Sequence, residues 1–276
     1  MGRGIAHVSA VAGFETSLYD VDAQMLANAE ATIGANLTKG VERGKLSEEA
    51  ADGAVARLRL QADFEAAVSA ADLVIEAVPE AMDLKVETFR RVVRSAPESV
   101  LLASNTSALS ITEMASATGR PDRFAGMHFF NPVHVMKLLE LVRGLETSDE
   151  TLAAMKEIGE RMGKEVVVVN ESPGFVTSRI NVLIGNEAFR MLEQGVASAA
   201  DIDKALKLGL NHPMGPFEMV DLVGLDVRLA ILEHLHQTLG ETYRPANLLR
   251  QYVRAGRLGR KVGRGVYDYP EKGASG

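Results

Sequence analysis

Short apolar segments alternate with amphipathic segments through the first 170 residues, and this alternation restricts the chain to few folds. The centres of "ADLVIEAV" and "SVLLAS" are apolar on consecutive residues, which is typical of strands buried on both faces of a parallel sheet. The segment "DLKVETFRRVVRSA" between them repeats apolar residues at helical spacing. The order of these segments predicts a doubly wound α/β sheet with mixed strands at one edge.

Local signals mark the helices and strands of this sheet. The opening "MGRGIAHVSAVAG" predicts an amphipathic helix, and "ETSLYD" predicts a short strand that ends at Asp20. Residues 22–56 predict two helices joined near Gly44, with Ser47 at the start of the second. Asp63 is expected to cap a further helix, and "EVVVVN" to form the last strand.

From Glu171 onward the pattern becomes helical. The segment "SPGFVTSRINVLIGNEAFRMLEQG" predicts one long helix, with Pro173 in its first turn and Gly195 at its end. Helical patterns then continue as far as "GRKVGRGVYDYP". We therefore predict two domains, an α/β domain of residues 1–170 and an all-helical domain of residues 171–276.

Charge and composition exclude several function classes. The net charge of −7 gives no reason to expect a nucleic-acid partner, and the absence of cysteine excludes disulfides and thiolate chemistry. No apolar run approaches the roughly 20 residues that a membrane-spanning helix needs. We expect a cytoplasmic protein with neither a metal site nor a membrane partner.

Asp20 closes the strand that follows the first helix, which is where dinucleotide-binding units place an acid. A carboxylate there accepts hydrogen bonds from the adenosine ribose of NAD and repels the extra phosphate of NADP. Gly2 and Gly4, at the front of the preceding helix, add support to this interpretation. The alternative is a solvent-exposed acid in a loop.

His128 ends one apolar strand and Glu140 lies in the next, so the turn between the strands could bring the two side chains together. A carboxylate beside an imidazole fixes its tautomer and stabilises its protonated form, as a general base near neutral pH requires. The alternative is a buried structural histidine beside an edge-strand glutamate.

The polar stretch "SNTSALS" follows an apolar strand, at the sheet edge where open α/β sheets collect catalytic groups. Ser107 could donate a hydrogen bond to a substrate oxygen, and Asn105 could place the cofactor amide. Ser107 or Ser110 could equally cap the helix that begins at "ITEMA".

Three cations, Lys39, Arg43 and Lys45, cluster in "KGVERGK" at the end of a predicted helix. They are placed either to meet phosphate groups or to offset the negative end of the helix dipole. Composition alone does not separate these two roles.

Four motifs, in this order along the chain, resemble the 3-hydroxyacyl-CoA dehydrogenases, most closely their short bacterial members. They are "SNTSALSI", "RFAGMHFFNPVHVMKLLELV", "SPGFVTSRI" and "DIDKALKLGLNHPMGPFEMVDLVGLD", and the match extends to "GRGVYDY". The resemblance implies a Rossmann-like NAD-binding domain and an all-helical C-terminal domain that forms a homodimer. It also implies an acyl-CoA substrate lying between the two domains.

The resemblance also assigns roles by position. It makes His128 the general base, Glu140 its partner, Ser107 the group that binds the substrate oxygen, and Asn131 the residue beside the nicotinamide. The cofactor contacts that it implies are Gly2, Asp20, Glu80, Lys85 and Lys261. It also implies that the helical pair of residues 22–56 forms an arm that binds CoA, with Asn36 and Arg43 near the contact positions.

The implied reaction is reversible oxidation of a short-chain (S)-3-hydroxyacyl-CoA to the 3-oxoacyl-CoA. His128 takes the hydroxyl proton as hydride leaves C3, and Glu140 stabilises the imidazolium that forms. Ser107 steadies the developing oxyanion.

Two positions depart from the family pattern. Ser178 stands where the family often has asparagine, so we expect a substrate-side role with shorter reach. Gly2 resembles the third glycine of a G-x-G-x-x-G turn, so the first strand and the first two glycines are expected to lie in front of Met1, with a late-assigned start favoured over a truncated form. Without them, the neighbouring strands would keep unpaired backbone and NAD binding would be weaker.

Two further hypotheses stand beside the main one. The chain could be a dehydrogenase of a free hydroxy acid or sugar acid such as gulonate, which would be indifferent to CoA. It could also be a non-catalytic dimeric protein with impaired NAD binding.

Overall fold

The structure, a computed structural model, describes residues 1–269 and divides the chain into two units. Unit 1 comprises Met1–Glu171, and unit 2 begins at Ser172. Each unit has a hydrophobic core of its own.

Unit 1 alternates helices with short strands. The helices are α1 (Gly2–Val11), α2 (Ala23–Glu42), α3 (Glu48–Arg57), α4 (Phe64–Val68), α5 (Met82–Ser95), α6 (Ile111–Ser116) and α7 (Asp149–Arg161). The strands are β1 (Thr16–Tyr19), β2 (Leu58–Gln61), β3 (Leu73–Glu76), β4 (Leu101–Ser104), β5 (Phe124–Phe129), β6 (Leu138–Arg143) and β7 (Glu165–Asn170).

Helix starts in unit 1 follow the capping signals in the sequence. Ser47 Oγ accepts a hydrogen bond from a first-turn N–H of α3 at 3.1 Å, and Asp63 Oδ1 accepts one in α4 at 3.2 Å. Such caps stabilise a helix by about 1 kcal/mol each. The cap of α6 is Ser110, which accepts at 3.1 Å, so Ser107 does not serve as the cap.

The strands form two sheets where the sequence predicted one. β1 pairs with β2 in parallel, and a five-stranded sheet has the order β3-β4-β5-β6-β7. Pairing in the larger sheet is parallel except between β5 and β6, which gives the mixed edge that the sequence predicts. Within residues 1–269, β1 and β3 each pair on one side only, so backbone is unpaired at these two strands.

The core of unit 1 joins α1 and α7 to the five-stranded sheet. Ile5 and Val8 of α1 and Met155 of α7 are buried against sheet residues such as Met127 and Leu141. Each fully buried side chain of this kind stabilises the fold by about 1.5–3 kcal/mol. These contacts hold α1 and α7 against the five-stranded sheet.

Unit 2 is helical, with α8 (Thr177–Glu193), α9 (Ala199–Gly209), α10 (Pro216–Val223), α11 (Leu225–Leu239) and α12 (Asn247–Arg254). The prediction that Pro173 lies in the first turn of the long helix is wrong, because α8 begins at Thr177. Gly174 at φ +74° and Phe175 at φ +48° are left-handed, and this conformation keeps both residues out of the helix. The predicted end is confirmed, since Gly195 adopts φ +69° after α8.

Asp221, 1% exposed, holds the "GVYDY" segment in unit 2. Its carboxylate accepts hydrogen bonds from the backbone N–H groups of Val266 and Tyr267 at 2.8 and 2.9 Å and from the Tyr269 hydroxyl at 2.9 Å. This motif of the sequence therefore has a structural function inside unit 2. No helix within residues 1–269 has the length and apolar character needed to cross a membrane.

Candidate active site

His128 and Glu140 lie directly opposite each other on the antiparallel strands β5 and β6. His128 Nδ1 is 2.8 Å from Glu140 Oε2, and the two residues are 7% and 1% exposed. A carboxylate beside Nδ1 favours the tautomer that carries its proton on Nδ1, and in that tautomer Nε2 is the nitrogen suited to act as a base. The turn between the strands thus brings together the two groups that can carry out proton transfer.

Asn105 is the first polar residue after β4, and it is fixed at both ends. Its backbone N–H donates to the Glu76 carbonyl at 2.8 Å, and its side-chain Oδ1 accepts from the Phe129 N–H at 2.8 Å. The amide oxygen is therefore used within the protein, and the amide NH₂ is the group that Asn105 can offer to a ligand carbonyl.

Glu80 lies beside the turn that carries Ser107. Glu80 Oε1 accepts from Thr106 Oγ1 at 2.5 Å, from the Ser107 N–H at 2.9 Å and from Ser107 Oγ at 3.3 Å. Burial opposes ionisation, but the Thr106 hydrogen bond and the charge of Lys85 outweigh it, so the pKa of Glu80 is lowered. The ionised carboxylate fixes the position of Ser107.

Lys85, 1% exposed, lies behind Glu80. Its ammonium is 2.8 Å from Glu76 Oε1 and 3.3 Å from Glu80 Oε2, and it also donates to the Val78 carbonyl at 3.3 Å. The buried ammonium thus has three partners within the protein, two carboxylates and one carbonyl. The structure thus places the two predicted cofactor contacts, Glu80 and Lys85, in one cluster.

The front of α1 packs closely on neighbouring segments. A Cβ on Gly4 would lie 2.9 Å from Val133 Cγ2, and one on Gly2 would lie 3.7 Å from Leu18 Cδ1 and 3.9 Å from Ala77 Cβ. The absence of a side chain at Gly4 is therefore required for this packing. Asp20 follows β1, and its Oδ1 accepts the N–H of Asp22 at 3.0 Å, which orients the carboxylate in the turn before α2.

The remaining predicted residues are more open. Asn131 is exposed in the turn after β5, and Asn36 and Arg43 lie on α2 and at its end, half-buried and exposed respectively. Ser178 is half-buried in the first turn of α8. Lys261 Nζ is 2.6 Å from Asp226 Oδ2, so it is held in an ion pair within unit 2. No group of three potential metal-ligating side chains occurs in the described range 1–269.

Three buried polar residues at the end of the sheet were not predicted as site residues: Glu76, Ser104 and Thr106, which are 4%, 0% and 0% exposed. The available signal was an acid at the end of the apolar run "LVIE", because an ionised side chain inside a sheet needs a partner. A basic cluster formed by His7, His134 and Lys164 was not predicted either.

The basic cluster joins α1 to the turn after β5. The His7 and His134 rings stack with centroids 5.4 Å apart, and Lys164 Nζ donates to the Met136 carbonyl at 2.9 Å and to the Val133 carbonyl. Burial, His134 and Lys164 lower the pKa of His7 from 6.5 to about 4, and burial with Lys164 lowers the pKa of His134. The folded state therefore favours neutral histidines here.

We expect this cluster to make unit 1 labile in acid. Because the pKa of His7 is lower in the folded state, the unfolded chain binds more protons between pH 6.5 and about 4. The free energy of unfolding is therefore unaffected by His7 above pH 6.5 and falls on acidification. For His7 alone this loss is about 3 kcal/mol at most. In denaturant titrations, His7→Gln should lose less unfolding free energy than the parent between pH 7 and pH 4.5.

The control for this measurement is His236→Gln, at a histidine paired with Glu241 at 3.0 Å in unit 2. It should keep the parent's acid dependence in unit 1. A His7→Gln variant with the same pH dependence as the parent would show that His7 titrates normally in the folded protein.

Comparison with known proteins finds similarity along nearly the whole chain. The family described as 3-hydroxyacyl-CoA dehydrogenase, NAD binding domain, matches residues 1–172, and the C-terminal domain of the same family matches residues 174–269. The chain is 45% identical over 270 residues to a 3-hydroxybutyryl-CoA dehydrogenase of Bradyrhizobium diazoefficiens, covering 98% of this chain and 92% of the relative. A relative of the same name from Clostridioides difficile is 43% identical, with coverage of 98% and 96%.

A solved structure shows the same similarity. The (S)-3-hydroxybutyryl-CoA dehydrogenase of Ralstonia eutropha superposes with a TM-score of 0.94 at 44% identity, covering 98% of this chain and 96% of the other. The fold, a Rossmann-like NAD-binding domain followed by a helical domain, is therefore shared along nearly the whole length of both proteins.

Proposed function

Because the chain belongs to the 3-hydroxyacyl-CoA dehydrogenase family, we propose that it oxidises a short-chain (S)-3-hydroxyacyl-CoA reversibly to the 3-oxoacyl-CoA, with NAD as cofactor. One observation carries the proposal for the chemistry. His128 and Glu140 form a buried pair at 2.8 Å, with the imidazole Nε2 as the basic atom. A pair of this kind suits removal of a hydroxyl proton near neutral pH.

His128 accepts the proton of the substrate 3-hydroxyl on Nε2. The imidazolium that forms is stabilised by the Glu140 carboxylate on the opposite nitrogen, which offsets the cost of a buried positive charge. In the reverse direction His128 returns this proton to the oxygen. General acid–base catalysis of this type contributes about 10²–10⁴-fold to the rate.

Ser107 holds the substrate oxygen as its charge changes. The Ser107 backbone N–H donates a hydrogen bond to Glu80 at 2.9 Å, and this holds the Ser107 backbone in place. The Ser107 hydroxyl can then rotate from Glu80 to the substrate without movement of the backbone. A prepositioned donor stabilises a developing oxyanion because little reorganisation is needed during the reaction.

The residues around α1 suit NAD by their chemistry. Asp20 presents a carboxylate for ribose hydroxyls, the α1 N-terminus beside Gly2 presents backbone N–H groups, and Asn105 presents an amide NH₂. Glu80, Asn131 and Lys261 complete the proposed cofactor contacts, and Lys85 supports this site through Glu80. NAD, when bound, supplies the acceptor for the hydride, and the protein supplies orientation and proton transfer.

We assign the α2–α3 pair to CoA, with Asn36 and Arg43 near the contacts, and Ser178 to the substrate. Arg43 is exposed at the end of α2, where a guanidinium can reach a phosphate. Residues 171–276 are proposed as the dimerisation domain of a cytoplasmic homodimer. Exposed aliphatic side chains on unit 2 support this, since Leu208 is 77% exposed and Leu210 is 66% exposed.

The names of the relatives favour a CoA substrate over a free sugar acid such as gulonate. The intact His128–Glu140 pair favours an enzyme over a non-catalytic dimer.

The direct test is NADH oxidation with acetoacetyl-CoA, compared with free acetoacetate under the same conditions. We expect turnover with the thioester and at least about 100-fold lower kcat/KM with the free acid, since the acid lacks the CoA binding energy. Equal turnover with both would favour the free-acid hypothesis. No turnover with either, in protein that binds NADH, would contradict the proposal.

A further inference from the structure

Five residues at the carboxyl edge of the unit 1 sheet form a closed ring of contacts, four between side chains and one through the Thr106 backbone N–H, which we call the Glu76 ring. Its members are Glu76, Lys85, Glu80, Thr106 and Ser104. Four of them are at most 4% exposed, and only the Glu80 side chain, 40% exposed, reaches the surface. The positions of the four buried residues can therefore determine the position of the exposed Glu80 carboxylate.

Glu76 is the anchor of the ring. It lies opposite Ser104 in the β3–β4 register, and its Oε2 accepts the Ser104 hydroxyl at 2.6 Å. Its Oε1 accepts from Lys85 Nζ at 2.8 Å and from the Val78 N–H at 2.6 Å. Three donors therefore satisfy the carboxylate, which makes its burial tolerable and its position unique.

The ring closes through the turn after β4. Ser104 Oγ accepts the Thr106 N–H at 3.3 Å, and Thr106 Oγ1 donates to Glu80 Oε1 at 2.5 Å. Glu80 Oε2 then returns to Lys85 Nζ at 3.3 Å. Two carboxylates thus share one ammonium, which lies closer to the deeper carboxylate.

We propose that Glu76 and Lys85 are positioning residues that act through Glu80. Glu76 holds the ammonium inside the sheet, and this fixes how far Lys85 can draw Glu80 inward and so where Ser107 and the cofactor-facing carboxylate oxygen lie. This inference rests on the proposed function, because it concerns the same site. A change in the position of Glu80 is expected to alter the affinity for the cofactor. A change in the position of Ser107 is expected to alter kcat.

Charge sharing gives the ring a distinct signature. With Glu76→Gln, nothing anionic opposes the pull of Lys85 on Glu80, so the carboxylate moves inward and releases the Ser107 N–H. With Lys85→Met, Glu80 loses its cation and its pKa rises, so NADH binding should weaken at a higher pH on acidification than in the parent.

The test compares Glu76→Gln, Lys85→Met and the double variant for NADH affinity by fluorescence, for kcat with acetoacetyl-CoA, and for Tm. Each single variant leaves a buried charge without its partner and should lower Tm, whereas the double variant removes both charges and should recover most of it. We expect NADH affinity and kcat to stay at least about tenfold below the parent in the double variant, because Glu80 still lacks its cation.

Recovery of NADH affinity and kcat together with Tm in the double variant would overturn the inference, because the ring would then be merely structural. If the single variants do not fold, the double variant alone decides between these outcomes. Unchanged NADH binding and an unchanged acid limb in the double variant would also overturn it.

The matched control is Glu65→Gln, which breaks the exposed pair at 3.1 Å between Glu65 of α4 and Arg91 of α5, the helix that also carries Lys85. It should leave affinity, kcat and Tm near the parent values. The NADH titration separates the two proposals. A parent that binds NADH but does not turn over acetoacetyl-CoA contradicts the proposed function, while the ring is still judged by the affinity and acid limb of the variants.

Discussion

Replacing His128 by glutamine is expected to lower kcat by about 10²–10⁴-fold, while NADH affinity changes by less than about twofold. The amide keeps the shape of the side chain and can still contact Glu140, which lies 2.8 Å away in the parent. It has no basic nitrogen, so the substrate proton has no acceptor at the position of Nε2. The measurement is the rate of NADH oxidation at saturating acetoacetyl-CoA, with binding followed separately by NADH fluorescence.

His236→Gln serves as the control, because it makes the same change at a histidine of unit 2 that pairs with Glu241. Its kcat should stay near the parent value. Glu140→Gln should fall between the two, since it leaves the base in place but removes the charge that stabilises the imidazolium. Near-parent activity of His128→Gln would show that another group takes the proton.

Adding an engineered strand in front of Met1 is expected to strengthen NADH binding by at least about tenfold. β1 and β3 each pair on one side only, and Gly2 lies near both Leu18 of β1 and Ala77 beyond β3. An apolar strand of about five residues, followed by a glycine-rich turn, can pair with both edges and place backbone N–H groups at the α1 N-terminus. Tm should rise with it, because apolar side chains and open backbone become covered.

A Gly-Ser extension of the same length is the control, since it adds chain without strand propensity. It should bind NADH as the parent does. Equal affinity for parent, strand extension and control, measured by fluorescence titration, would mean that the separation of the two sheets does not limit cofactor binding.

The sequence predicts most elements of unit 1 because their signals are local. Ser47 and Asp63 cap helices through hydrogen bonds that reach only three residues along the chain. The separation into two sheets was not predicted, because it depends on long-range pairing, of β1 with β2 and of β3 with β4, which local signals do not determine. The prediction that Pro173 lies in the first turn of α8 was wrong because the two residues after it are left-handed, and the helix begins only after them.

In the candidate site, too, contacts set by a local turn could be predicted and contacts set by long-range pairing could not. His128 and Glu140 could be paired from sequence, because one turn joins their strands and sets the register. The Glu76 ring could not, since Glu76 and Ser104 are 28 residues apart and meet only through the parallel pairing of β3 and β4. The stacking of His7 on His134 likewise depends on the packing of α1 near the turn after β5.

NADH formation from (S)-3-hydroxybutyryl-CoA and NAD, followed by absorbance, tests the central claim most directly. The parallel substrates are the (R)-thioester and free (S)-3-hydroxybutyrate. We predict rapid turnover of the (S)-thioester alone, with a rate that falls by about 10²–10⁴-fold in His128→Gln. Turnover of the free acid at the same rate, or an (S)-thioester rate unaffected by His128→Gln, would contradict the claim that this chain oxidises 3-hydroxyacyl-CoA through the His128–Glu140 pair.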